Sequence, residues 1–203
     1  MAGKKPLRAK PARGVEIHPV DAKRWPDLVR LFGPRGACGG CWCMWPRLRG
    51  GDYRRGLGTP NRNALRKLVQ KPIAPGLLAY LGGEPVAWCA VAPRTEYLRV
   101  ESSRVMAPLD DRPAWSVPCF FVRRDLRGTG LTLALLRAAT RYAAAHGARL
   151  VEGYPIDAKS RGADTFLWHG HVRTFERAGF REAARRSPTR PLMRKNVRPT
   201  GRG

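Results

Sequence analysis

Residues 119–132 read Cys-Phe-Phe-Val-Arg-Arg-Asp-Leu-Arg-Gly-Thr-Gly-Leu-Thr, an apolar run followed by a basic stretch with two close glycines. A long helical pattern follows and ends near Gly147. The first turn of a helix has free N–H groups and the positive end of the backbone dipole, so it attracts anions. Glycines there let the backbone approach a phosphate closely, and Arg127 stands at the edge to assist. Gly128 and Gly130 therefore read as a diphosphate cradle, beside the plainer reading of a tight strand-to-helix turn. Neither a G-x-x-x-x-G-K-[ST] loop nor the three spaced glycines of a dinucleotide fingerprint is present. A second cluster, Cys38, Cys41 and Cys43, has C-x2-C-x-C spacing that could ligate zinc or copper. No fourth ligand is evident nearby, and C-x-C chelates tetrahedral zinc poorly, so no metal is expected. The blander reading is that Trp42, Met44 and Trp45 pack over the body.

The elements that must position these groups can be read from pattern. Residues 14–20 alternate as a first strand, and residues 21–33 form a helix with Asp21 as a candidate cap and Pro26 near its first turn. Gly33 and Pro34 stop that helix, and a glycine-rich loop follows. Residues 59–70 start a second helix, with Thr59 as N-cap, Pro60 at the first helical position, and Leu65, Leu68 and Val69 on one face. Two apolar runs flank Gly82-Gly83 as a hairpin. Residues 114–122 form a strand interrupted by Pro118, which lacks a ladder donor and implies an edge, bulge or splay. The helix after the glycine turn has Leu131, Leu135, Ala138, Ala139 and Tyr142 on one stripe. A strand at 148–155, a helix stopped by Gly179 and two closing strands complete a single mixed sheet with helices on its faces, an α/β fold.

Composition sets the outer bounds. The chain has 203 residues, enough for one domain with a real core, and no apolar run approaches a membrane span. Residues 1–13 carry five Lys/Arg and no acid, and read as a disordered basic arm; residues 14–197 form the domain, and 198–203 a short basic tail. The basic start lacks the apolar core of a secretory signal. Five cysteines without an export signal point to reduced thiols and a cytoplasmic protein. The net charge of +24 invites a nucleic-acid reading, but much of it lies at the ends and no nucleic-acid motif accompanies it.

Arg127-Gly128-Thr129-Gly130-Leu131-Thr132 resembles the R/Q-x-x-G-x-G/A motif of the GNAT acyltransferase superfamily. Phe120-Phe121-Val122 is similar to that family's cofactor-facing strand, and Phe175-Glu176-Arg177-Ala178-Gly179-Phe180 to its late Y-x-x-x-G-F element. The motif separation and the element order match as well, over roughly residues 14–197. The resemblance implies the GNAT fold and acetyl-CoA as co-substrate. It implies that diphosphate sits on the amides of residues 128–132 and that the pantetheine arm pairs with the backbone of Phe120, Phe121 and Val122, in a gap that Pro118 suits. Two departures stand out: Thr132 replaces a small residue, and Phe175 replaces a tyrosine that protonates the leaving thiolate in many members.

For the remaining chemistry, acetyl transfer to an amine needs a base and an acid. Glu152, on the strand after the cofactor helix, is the first candidate base; a surface carboxylate or an arginine partner is the bland alternative. Glu96 and Glu101 are further candidates. Tyr154 and His171 are options for the acid, although His171 also reads as a plain helix residue. Cys119 could carry an acyl group, but a buried strand cysteine is the commoner role. Trp42 and Trp45 would wall the acceptor site. The expected activity is N-acetylation of a primary amine on a small molecule, a protein or an aminoacyl group on RNA, by a monomer or homodimer with no membrane association. The rivals are a nucleic-acid-associated protein, with weak contact through the basic ends, and a CoA-binding fold without catalysis.

Overall fold

A computed structural model of the chain describes residues 14–157 and 168–200. Strand β1 (Val15–Pro19) leads into α1 (Trp25–Phe32), then α2 (Gly50–Arg55) and α3 (Thr59–Val69). Strands β2 (Gly76–Leu81), β3 (Glu84–Ala90) and β4 (Ala92–Pro93) follow, then the short α4 (Leu98–Glu101), β5 (Trp115–Val117) and β6 (Phe120–Val122). Helix α5 (Leu131–Ala145), β7 (Leu150–Gly153), α6 (Val172–Arg177), β8 (Arg181–Arg185) and β9 (Pro191–Asn196) complete the order. The positive φ of both Gly82 and Gly83 suits the tight turn that joins β2 to β3.

The sheet is divided. One ladder has the order β1-β2-β3-β6 and the other β4-β5-β7-β9-β8. The expected single sheet is therefore corrected: the strand at 114–122 breaks at Pro118-Cys119, and its halves belong to different ladders. β5 pairs in parallel with β7, with α5 as the crossover, while the other named pairings are antiparallel. Apolar side chains on one sheet face bury against α5 and α6, around Leu135, Ala139 and Phe175. Those on the other face bury beneath α1, α3 and the cysteine loop, around Leu28, Leu65 and Trp88.

Two caps differ from expectation. Asp21 accepts the Arg24 N–H at 2.9 Å, closing a turn before α1 begins at Trp25, and α1 has no side-chain cap. Gly58, with φ +87°, precedes α3, so Thr59 is its first residue rather than its cap. The loop after α1 contains α2, which lacks an apolar face and buries none of its residues. That absence hid it from periodicity. The basic arm at 1–13 lies outside the described residues, as does the tip of the tail. No helix among the described residues is long and apolar enough to cross a membrane.

Candidate active site

The glycine turn builds an open donor surface. A short 3-10 turn, Arg124–Leu126, follows β6, and the Thr129 hydroxyl donates to the Leu126 carbonyl at 2.7 Å. Gly128 and Gly130 have φ of +80° and +90°, where side chains with a Cβ are strained. A Cβ at either would meet nothing within 4 Å, so the space before them is open. The first amide of α5 to find a backbone acceptor is that of Ala134, on the Gly130 carbonyl at 3.0 Å. The N–H groups of residues 128–133 have no acceptor among the described residues. They gather at the positive end of a 15-residue helix. Arg127 is exposed beside them, its Nε 3.5 Å from the Val122 carbonyl. Leu131 is buried under the turn, so it offers its amide but not its side chain.

The break at Pro118 opens the second half of the site. β5 pairs with β7 as far as Val117 and Gly153. Beyond the break, β6 pairs with β3 alone. Arg123 N–H bonds to Val86, and Ala90 N–H to Cys119, which makes positions 119, 121 and 123 the hydrogen-bonded ones on this strand. Phe121 therefore spends its backbone groups on β3. Phe120 and Val122 turn theirs to the open edge, where an extended amide chain could pair with them. Of the three residues expected at the cofactor, two present backbone and the third braces the strand.

The segment before α6 borders this opening. Beyond Gly153, Ile156 donates to the Gly170 carbonyl at 2.8 Å and accepts from Val172 at 3.1 Å. His169 is buried, and its Nδ1 lies 2.7 Å from the Pro118 carbonyl. A carbonyl only accepts, so Nδ1 carries the hydrogen and Nε2 accepts from Arg190 at 2.9 Å. Burial, with the Arg190 charge second, pulls the imidazole down to about 3, so it is neutral at ordinary pH. Sequence reasoning missed His169, because its neighbours are spatial: the Trp45 and Trp168 rings flank it with centroids 5.0 and 5.5 Å away.

Glu152 lies elsewhere in character. It is fully buried, and Arg194 Nε donates to its Oε1 at 2.8 Å while Arg94 Nη1 approaches Oε2 at 3.4 Å. Tyr154 donates to the same carboxylate at 3.2 Å and contacts the Ser116 hydroxyl at 3.0 Å. Arg94 also holds Glu101, and Arg194 also holds Asp110. This is a closed ion-pair cluster, and it gives Glu152 the surroundings of a structural counter-ion rather than an open base. Burial, followed by the Glu152 charge, pushes the Tyr154 phenol well above its usual range. Glu96 is spent on Arg47 at 2.9 Å. Phe175, at the position of the family tyrosine, is wholly buried against Phe120 and Phe180. His171 stands just before α6 without capping it through its side chain.

The two loop tryptophans separate. Trp42 is buried, stacked on Trp25 at 6.1 Å, with one side on a cavity of about 510 Å³ that Arg30 and Arg62 also line. Trp45 is half-buried and stands beside His169 at the opening. No group of three or more His, Cys, Asp or Glu among the described residues is placed to hold a metal ion.

Residues 42–180 match the acetyltransferase (GNAT) family, and the chain belongs to it. Its fold is that of the GNAT domain of S. lividans PAT, 17% identical over 90% of each chain with a TM-score of 0.52. It is also similar to a GNAT-family acetyltransferase from Streptococcus agalactiae 2603, 13% identical over 91% of this chain and 96% of that one, with a TM-score of 0.55. PH1933 from Pyrococcus horikoshii OT3 is 16% identical over 90% of this chain and 98% of that one, with a TM-score of 0.52. No curated protein sequence matches the chain. These likenesses carry the fold; acetyl transfer in general follows from the family.

Proposed function

We propose that the protein is an N-acetyltransferase that moves an acetyl group from acetyl-CoA to a primary amine by direct attack. One observation carries this reading: six amides at 128–133 have no acceptor among the described residues, Gly128 and Gly130 leave open space beside them, and no strand pairs with the outer edge of Phe120 and Val122. A diphosphate fits the first and an extended amide arm the second, so the chain's donors suit the two chemical parts of CoA. The co-substrate supplies an activated acyl group as a thioester. Gly128 and Gly130 would bring bare backbone to the diphosphate, Arg127 would add charge from the rim, and Thr132 would offer its amide from the first turn. Phe120 and Val122 would hold the arm in register and so fix where its reactive end stops.

The chain's own groups limit the mechanism. Glu152 is enclosed by two guanidinium groups, and Tyr154 is held between Glu152 and Ser116. We therefore assign that pair to positioning β7 beside the gap, and assign removal of the amine proton to water. Trp45, at the opening, is the acceptor-wall residue. The reading includes a cytoplasmic, reduced protein, which the five free thiols support. The test is release of a free thiol from acetyl-CoA against a panel of primary amines, with mass spectrometry of each acceptor. Acetylation of at least one amine supports the reading. Tight acetyl-CoA binding with no transfer to any amine or to protein would instead favour a CoA-binding fold without catalysis.

A further inference from the structure

Three of the five cysteines, Cys41, Cys43 and Cys119, converge from two parts of the chain. Cys38 is exposed and Cys41 and Cys43 are buried on the loop after α1, while Cys119 is buried in the strand break. Cys43 Sγ lies 3.3 Å from Cys119 Sγ, although the residues are 76 positions apart. We propose that Cys43 and Cys119 form a reversible disulfide when the protein meets a peroxide, locking the loop of residues 33–49 onto the strand break at the cofactor gap.

The backbone favours this pair on both sides. Trp42 and Cys43 have φ of +42° and +48°, an uncommon conformation for residues with a Cβ, which the packing of Trp42 against Trp25 and Phe32 sustains. That turn delivers Cys43 to Cys119. Cys119 follows Pro118 at the point where the strand leaves one ladder for the other. The thiols must close from van der Waals contact to about 2 Å, and a strand break has more freedom to move than a two-sided ladder. The remaining buried thiol, Cys89, belongs to the opposite core, with its Sγ on the Leu135 carbonyl.

Cys41 supplies the entry point. A hydrogen bond from Cys43 is the main cause that draws its thiol down to about 6, and in the resting geometry the same sulfur donates to the Gly36 carbonyl at 3.5 Å, so the reactive thiolate forms when that bond is released. The thiolate attacks peroxide: an S–O bond forms, the O–O bond breaks, and hydroxide leaves to become water. Cys43 sulfur then attacks Cys41 sulfur, breaking the S–O bond; the oxygen leaves with the Cys43 proton as a second water. Cys119 attacks Cys43 in turn, and Cys41 departs and takes up the Cys119 proton. One peroxide and two thiols give one disulfide and two waters. A small dithiol reverses the step by exchange.

The bond would act on the gap directly. The Cys119 carbonyl accepts from Ala90 at 2.9 Å, and the next residue, Phe120, presents its backbone to the open edge. Drawing Cys119 toward the loop shifts that edge, so oxidation weakens acetyl-CoA binding; this consequence rests on the cofactor reading above.

The experiment treats the full chain with one equivalent of hydrogen peroxide, alkylates the remaining thiols, and maps the peptides by mass spectrometry. Acetyl-CoA affinity is measured by calorimetry on the reduced, oxidised and re-reduced forms. The expected map contains a Cys43–Cys119 linked peptide lighter by two hydrogens, absent after dithiothreitol and absent in Cys119→Ser. Affinity should fall severalfold on oxidation, recover on reduction, and stay at its reduced value in peroxide-treated Cys119→Ser. Cys119 found alkylated in the oxidised protein, or a linked protein with unchanged affinity, would overturn the proposal. Reduced protein that binds no acetyl-CoA would overturn the cofactor reading and the lock with it, and the map tells that failure apart from failure of the bond.

Discussion

Replacing His169 with Asn should flatten the acid limb of the protein's stability. The native imidazole is buried and neutral, donating to the Pro118 carbonyl and accepting from Arg190. Its folded value of about 3 lies well below the ordinary imidazole value of 6.5. The unfolded chain therefore takes up a proton as pH falls through 6.5, while the native state does not until about 3. The stabilisation is complete above the unfolded value and is lost as pH falls toward the folded one. Each pH unit in that window removes about 1.4 kcal/mol, so roughly 2 kcal/mol is gone by pH 5. Asn keeps a donor for Pro118 and loses the acceptor for Arg190, a cost of about 1 kcal/mol that does not vary with pH. Urea unfolding of both proteins at pH 7.5 and pH 5 measures the difference. The wild type should lose roughly 2 kcal/mol more than the variant between the two conditions. Equal losses would show that the native imidazole is already protonated, and would refute the buried tautomer and its place in the break.

Glu152→Gln should lower stability by about 3 kcal/mol or more in chemical denaturation, because two buried guanidinium groups lose their shared anion. Turnover per folded molecule should keep the wild-type pH profile; normal stability with turnover lost at neutral pH would return Glu152 to the role of base. Gly153→Ala should cost roughly 1–3 kcal/mol in the same assay, because the added carbon overpacks a full core. Its Cβ would sit 2.0 Å from the Phe175 ring, and wild-type stability would show that α6 is free to move.

The glycine turn and the Pro118 interruption were legible because each rests on local chemistry. A residue that needs positive φ, and a residue without an N–H, signal themselves in any fold. The hairpin at Gly82-Gly83 was legible for the same reason. The fate of Glu152 was not, since Arg94 and Arg194, which enclose it, come from 58 and 42 positions away. Strand phase alone could not tell a carboxylate in a closed cluster from one at an opening. Trp42 and Trp45 looked equivalent in sequence, yet the positive φ at Trp42 sends one into the core and leaves the other at the gap. His169 lay in a stretch without periodicity, where only a distant carbonyl defines its role. The approach of Cys43 to Cys119 needed the break and the strained loop together.

The central claim is that bare amides at the glycine turn hold the diphosphate of acetyl-CoA, and calorimetry on two substitutions at Gly128 tests it most directly. Both Gly128→Ala and Gly128→Glu place a Cβ at φ +80° with nothing within 4 Å, so they share the same backbone penalty. They differ in the negative charge that only Glu sets before the amides. The account predicts that Gly128→Ala retains measurable affinity while folded Gly128→Glu loses at least a hundredfold more, about 2.8 kcal/mol at 1.4 kcal/mol per factor of ten. Equal affinities in the two variants would place the diphosphate elsewhere and contradict the account.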